Sequence, residues 1–251
     1  MMSRPAIYRL VIILGFVALL EVLCLTGTID VITMQAPHRM IMDLFAMLSS
    51  GSLNAAIAKT LSNAAIAFVL ALVVGVMTAV VLYRFRLARD VLDPLFATYY
   101  AIPVFAFYPL LIIVLGLGDA PQILLGFMLA VVAVIVNTLN GLDRVPRVLL
   151  KTARVNHMGP VETAAKIMLP SAAPYVLTGA KLAVAYSLIG IIGAEFIMSR
   201  GGMGYEISFA YNNFDNATMY PLIILILFVS ISVNTILAYW EKRLMRRRGQ
   251  G

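Results

Sequence analysis

Six apolar runs set the pattern of the chain, at residues 6–25, 55–82, 95–115, 123–139, 175–198 and 220–240, with polar and charged side chains collected between them. A helix needs about 20 apolar residues to cross roughly 30 Å of hydrocarbon. In lipid, backbone polar groups must be satisfied within the segment or in a closed barrel. Barrel strands would be short and alternate polar with apolar positions, which these runs do not. The pattern therefore predicts six transmembrane helices. Pro103 and Pro109 are expected to kink the third.

Between the runs, two segments keep a helical period. In the segment 26–54, Met40, Ile41, Leu44 and Met47 or Leu48 form an apolar stripe among Asp30, Pro37, His38, Arg39 and Asp43. That pattern suits a short helix on the membrane surface or packed against the first span. In the segment 141–174, Val161, Ala164, Ala165, Met168 and Leu169 form a second stripe, and Glu162 precedes Lys166 at the favourable i, i+4 spacing. Pro160 fits a first helical turn, Pro170 is expected to stop the helix, and Pro174 to separate it from the fifth span. The predicted element is a short amphipathic helix between proline hinges. It packs on the protein's own spans or docks on a partner.

Composition agrees with the pattern. Hydrophobic residues make up 62% of the 251 and charged ones 12%, and the mean hydropathy is +0.95. A soluble fold of this size has too little interior for that much apolar surface. The net charge of +7 is concentrated on one set of loops. Arg84, Arg86 and Arg89 follow the second run; Arg144, Arg147, Lys151, Arg154 and Lys166 follow the fourth; a basic tail follows the sixth. By the positive-inside rule both termini are cytoplasmic, as an even number of spans requires. This distribution is a topology signal and a contact for anionic lipid headgroups rather than a nucleic-acid surface. The first run lacks a small-x-small cleavage pattern and reads as a retained anchor. The single cysteine, Cys24, forms neither an intrachain disulfide nor a metal site.

From residue 153 to 204 the chain resembles the permease subunits of bacterial type I ABC importers, in the branch that handles nitrate, sulfonates, taurine and related compounds. The residues that carry the resemblance are Leu169-Pro170, Ala173-Pro174-Tyr175, Ala194-Glu195-Phe196 and Gly202-Met203-Gly204-Tyr205. Weaker matches lie upstream at Thr60-Leu61, Asp93-Pro94, Ile102-Pro103, Pro109-Leu110, Gly116-Leu117-Gly118 and Asn137-Thr138 with Gly141. The literal string Glu162-Thr163-Ala164-Ala165 is not the family's EAA motif. Counting back from Pro170 puts the motif's last alanine at Ala153 and its glycine at His157, and its first two positions at Lys151 and Thr152. The chain thus carries lysine for glutamate and histidine for glycine, with Gly159 close by. The departures bear on the geometry of the loop and fit a divergent member or one half of a heterodimer.

The resemblance implies an all-α integral membrane protein with the type I permease fold. It has an N-terminal anchor and external segment at 1–54, a transporter domain at 55–240 whose coupling loop is 141–174, and a cytoplasmic tail at 241–251. It implies an ATP-driven importer of a small anion or small organic solute in the bacterial inner membrane. Its partners would be a second permease subunit, identical or not, two cytoplasmic ATPases and an external solute-binding protein. The coupling loop would dock on the ATPase through Ala153, His157, Met158, Gly159, Val161, Glu162, Ala165, Lys166, Leu169 and Pro170. The chain has no Gly-x-x-x-x-Gly-Lys-Ser/Thr phosphate loop, so ATP and magnesium belong to the partner and no cofactor is expected here.

Polar residues within the inner spans are candidates for the path: Asn137, Thr138, Asn140, Tyr186 and Ser187, with a helix–helix hydrogen bond as the alternative. Glu195 lies late in the fifth span, where an acidic group at a helix centre costs about 2.5–3.5 kcal/mol. It reads either as a gate residue or as an anchor for the external turn with Gly202, Gly204 and Tyr205, through Arg200 or backbone N–H groups. Neither catalytic nor metal-ligand constellations are present: the two histidines, His38 and His157, fall on opposite sides of the membrane. An ion-coupled secondary transporter would be expected to show inverted repeats and mid-membrane acids, and a membrane-embedded enzyme clustered ionisable groups.

Overall fold

The computed structural model describes residues 4–30 and 33–247, and every regular element among them is helical. The elements are α1 (Arg4–Leu25), α2 (Pro37–Ser50), α3 (Asn54–Arg84), α4 (Arg86–Thr98), α5 (Tyr108–Leu115), α6 (Asp119–Asp143), α7 (Arg147–Val155), α8 (Pro160–Thr163), α9 (Leu169–Met198), α10 (Met203–Asn212) and α11 (Asn216–Arg247). Five stretches are long and apolar enough to cross a membrane: Tyr8–Leu25, Asn54–Arg84, Asp119–Asp143, Pro160–Ile197 and Asn216–Tyr239. The basic tail begins inside α11, which runs on to Arg247; residues 248–251 lie outside the described residues.

The expected third span is corrected. It is not one kinked helix but two pieces, Arg86–Ala101 and Val104–Leu115, set 89° apart. The break falls where backbone chemistry demands it. Proline disfavours the α conformation in the residue before it, and Ile102 is extended at φ −77, ψ 126. Pro109 kinks nothing; it sits in the first turn of α5, where its missing N–H had no helical partner to lose. Upstream, the basic segment after the second run is nearly all helix, since only Phe85 separates α3 from α4.

The second correction concerns the central segment. Pro170 does not stop a helix and Pro174 does not part it from the fifth span. α8 passes through a π-helical turn, Ala164–Met168, directly into α9, so helix is continuous over Pro160–Ile197. An ordinary α turn would drive the Pro170 ring into a carbonyl one turn back and leave that carbonyl unpaired. One extra residue in the turn relieves the conflict. Pro170 then lies in the first turn of α9 and Pro174 inside it.

α6 is the central post of the bundle, packed against α3 and α9. α3 meets it through a stripe of small side chains: Ala64, Ala67, Ala71, Gly75 and Ala79 are all buried. Small residues let backbones approach closely, the usual basis of helix association in lipid. α6 and α9 approach closely where Gly126 faces Gly190, since a Cβ on Gly190 would lie 2.7 Å from the Gly126 Cα. α2 lays Leu44 and Met47 on a cluster that includes Leu53, Met203, Ile207, Leu222 and Leu225. Its stripe therefore packs chiefly on α11 rather than on α1. α1 has no buried residue in its apolar window and meets α2 through Glu21, which accepts from the His38 backbone N–H at 3.1 Å.

Candidate functional site

Three groups of residues stand out, at the two ends of α9 and between them. At the α7–α8 end the chain forms a projecting knob. α7 closes with a Schellman cap: the His157 N–H donates to the Arg154 carbonyl at 3.1 Å and the Met158 N–H to the Ala153 carbonyl at 3.0 Å. That cap requires a left-handed residue just past the helix, usually glycine, and His157 supplies it at φ 52. The departure from the family's glycine therefore leaves the turn in place, and Ala153, 2% exposed, seats the helix beneath it. Gly159 is extended and caps α8, with Pro160 in the first turn.

On the knob, Ala164 and Met168 pack inward on Leu142, Leu150 and Ala172, whereas Val161 is 83% exposed and Val155 77%. The apolar stripe thus divides, one part serving the bundle and the other facing outward. Glu162 and Lys166 form an exposed ion pair at 2.7 Å. Gly159, Ala165 and Pro170 are exposed too, while Met158 and Leu169 are half-buried. Arg147, Lys151 and Arg154 add exposed positive charge beside Val148 and Val155.

Midway, the bend of the third segment opens a cavity of about 360 Å³ between α4, α6 and α9. Asn137 and Tyr186 line it, together with Arg89, Asp93, Tyr100 and Asn140. Their neighbours Thr138 and Ser187 do not; both are fully buried in the helix packing. Tyr100, brought in by the break at Ile102-Pro103, was not singled out from the sequence.

At the other end of α9, Glu195 is 0% exposed. Its carboxylate accepts from the Thr60 hydroxyl at 2.7 and 3.0 Å and from the Gly204 N–H at 3.0 Å. Thr60 in turn accepts from the Met203 N–H at 2.8 Å. The carboxylate thus ties α3 and α9 to the start of α10. Arg200 is exposed. The turn's glycines permit the approach: a Cβ on Gly202 would sit 2.2 Å from the carboxylate, and one on Gly204 would sit 2.3 Å from the Ile192 carbonyl. Tyr205 is half-buried, its ring 6.0 Å from that of Phe209. Thr60 entered the sequence reading only through the weak match Thr60-Leu61, and its role as the partner of Glu195 was not legible among the other hydroxyls of the same run, Ser62 and Thr78. Gln122 extends the polar packing, donating to the Ser199 hydroxyl at 3.0 Å.

The model of the family described as "binding-protein-dependent transport system inner membrane component" matches residues 71–248. The chain belongs to that family. Like the other inner-membrane components, it is a multi-pass permease subunit of an ABC importer and not an enzyme; ATP is hydrolysed by a partner. A nitrate import permease protein, NrtB, of Leptolyngbya laminosa is 26% identical over 75% of this chain and 68% of its own length. A bicarbonate transport system permease protein, CmpB, of Synechococcus elongatus is 26% identical over 93% of this chain and 87% of its own. A probable ABC transporter permease protein of Brucella melitensis is 25% identical over 79% and 80%. Among solved structures, the MetNI methionine ABC transporter in an inward-facing form shares the fold, with a TM-score of 0.63 and 19% identity over 76% of this chain and 94% of that one.

Proposed function

We propose that this permease works as one of two membrane subunits, identical or paired with a relative. The knob of α7 and α8 faces the cytoplasm and seats in a groove on an ATPase subunit. The observation that carries this reading is the division of the central stripe. Val161 and Val155 stay exposed in a cationic surround, while the same helix runs unbroken into the packed span below it. A side chain pressed by a partner at Val161 therefore acts on α9 without an intervening joint. Closure of two ATPases on their own ATP and magnesium would tilt α9, and α6 packed against it would move as well.

The solute is a small anion or small organic molecule, delivered from outside by a binding protein to the face that carries Gly202 to Tyr205. Nitrate and bicarbonate permeases among the relatives support a small solute. The positive loops support the orientation, because Arg84, Arg86, Arg144, Arg147, Lys151 and Arg154 all fall at the α7 end. Reconstitution tests the assignment. The chain alone in proteoliposomes hydrolyses no ATP. With its ATPase and loaded binding protein it imports solute. Replacing residues 158–166 by a Gly-Ser linker abolishes import while the chain still inserts. Import that survives the replacement defeats the proposal.

A further inference from the structure

The cavity between α4, α6 and α9 has a chemistry that narrows the solute class, and the inference rests on the permease reading above. Among the described residues that line it, Arg89 is the only cation and Asp93 the only anion. The Arg89 guanidinium is already committed. It donates to both carboxylate oxygens of Asp143 at 2.7 and 2.6 Å and lies 3.6 Å from Asp93. One cation held by two carboxylates offers no spare positive charge to an incoming ion, and the three side chains together are net negative. A small oxyanion would shed water there and find no counter-charge in return.

The remaining walls suit a different guest. The rings of Tyr100 and Tyr186 lie 5.3 Å apart at 35°. Aromatic faces carry a negative quadrupole that attracts cations and stacks flat rings. Asn137 donates its amide N–H to the Ala133 carbonyl at 2.8 Å, which orients its amide group at the cavity wall, and Asn140 lies one turn along. We propose that this cavity is where the transported solute touches the permease, and that the solute is an uncharged or cationic organic molecule with a flat face rather than a small inorganic oxyanion.

Charge preference can be read without knowing the solute. Cys24 is replaced by alanine in the full chain, and Asn137→Cys or Asn140→Cys is introduced separately, so that misfolding of one variant leaves the other. Each is treated in membrane vesicles with a trimethylammonium-ethyl or a sulfonato-ethyl methanethiosulfonate, and rates are normalised to those on a free thiol. The cationic reagent is expected to react faster by about tenfold, the effect of roughly one net charge at close range in a protein medium. Asp93→Asn should reduce that ratio. A sulfonate reagent that keeps pace or reacts faster overturns the proposal. So does a failure of both reagents at both positions when the unfolded chain reacts. ATP-driven import by the same variants reads the permease assignment separately.

Discussion

His157 holds a left-handed backbone at φ 52 that favours glycine, because a side chain there crowds the following carbonyl by about 1 kcal/mol. His157→Gly should therefore stabilise the chain in detergent, raising the melting temperature by about 2–4 °C, and His157→Val should lower it. Equal melting temperatures for the two variants would show that the Schellman turn is not strained. At the other end of α9, Gly204→Ala would press a methyl against the Ile192 carbonyl at 2.3 Å and should cost about 1–3 kcal/mol or more. Thr60→Val removes the hydroxyl that donates to Glu195 and accepts from Met203. A loss of about 1–3 kcal/mol is expected by thermal unfolding, with Thr60→Ser close to wild type. If valine matched threonine, the buried carboxylate would have to be satisfied elsewhere.

For the elements, the π turn is the feature with the most consequence. It holds one residue more than an α-helix would, so it sets the rotation of α8 relative to α9. Deleting Ala165 should convert it to an α turn and swing Val161 by about 100° around the helix axis. An α turn there would also crowd Pro170, so the melting temperature should fall by several degrees, and stimulation of the ATPase should be lost. The membrane-spanning helices were legible, because apolar run length and the bilayer's thickness admit one reading, whereas α7 and α10, which lie outside the apolar runs, were not. Nor were the prolines. Pro103, Pro109, Pro170 and Pro174 each carry the same local rule, yet one ends a helix, two sit in first turns and one is absorbed inside a helix. Packing partners decide between those outcomes, and they are distant in sequence. The same holds for the α2 stripe, whose period was plain but whose partner, α11, lies at the far end of the chain. Of the candidate path residues, Asn137, Asn140 and Tyr186 share a cavity while Thr138 and Ser187 do not, a distinction set by helix rotation that sequence spacing alone does not resolve.

At the scale of the whole molecule, a single rigid post links two chemically different ends. α9 presses on α6 through facing glycines, carries the apolar knob at one end and the buried Glu195 anchor at the other. Under the proposed coupling, force applied at α8 would reach a packed core and the Gly202–Tyr205 turn together. The most direct test of this account is the affinity of the ATPase subunit for the full chain in nanodiscs, comparing wild type with Val161→Asp. A charge placed at the centre of an apolar contact should weaken binding by on the order of tenfold or more, with insertion and melting temperature unchanged because Val161 is 83% exposed. Undiminished affinity of the aspartate variant would contradict the account, because the ATPase would then be held by some other surface.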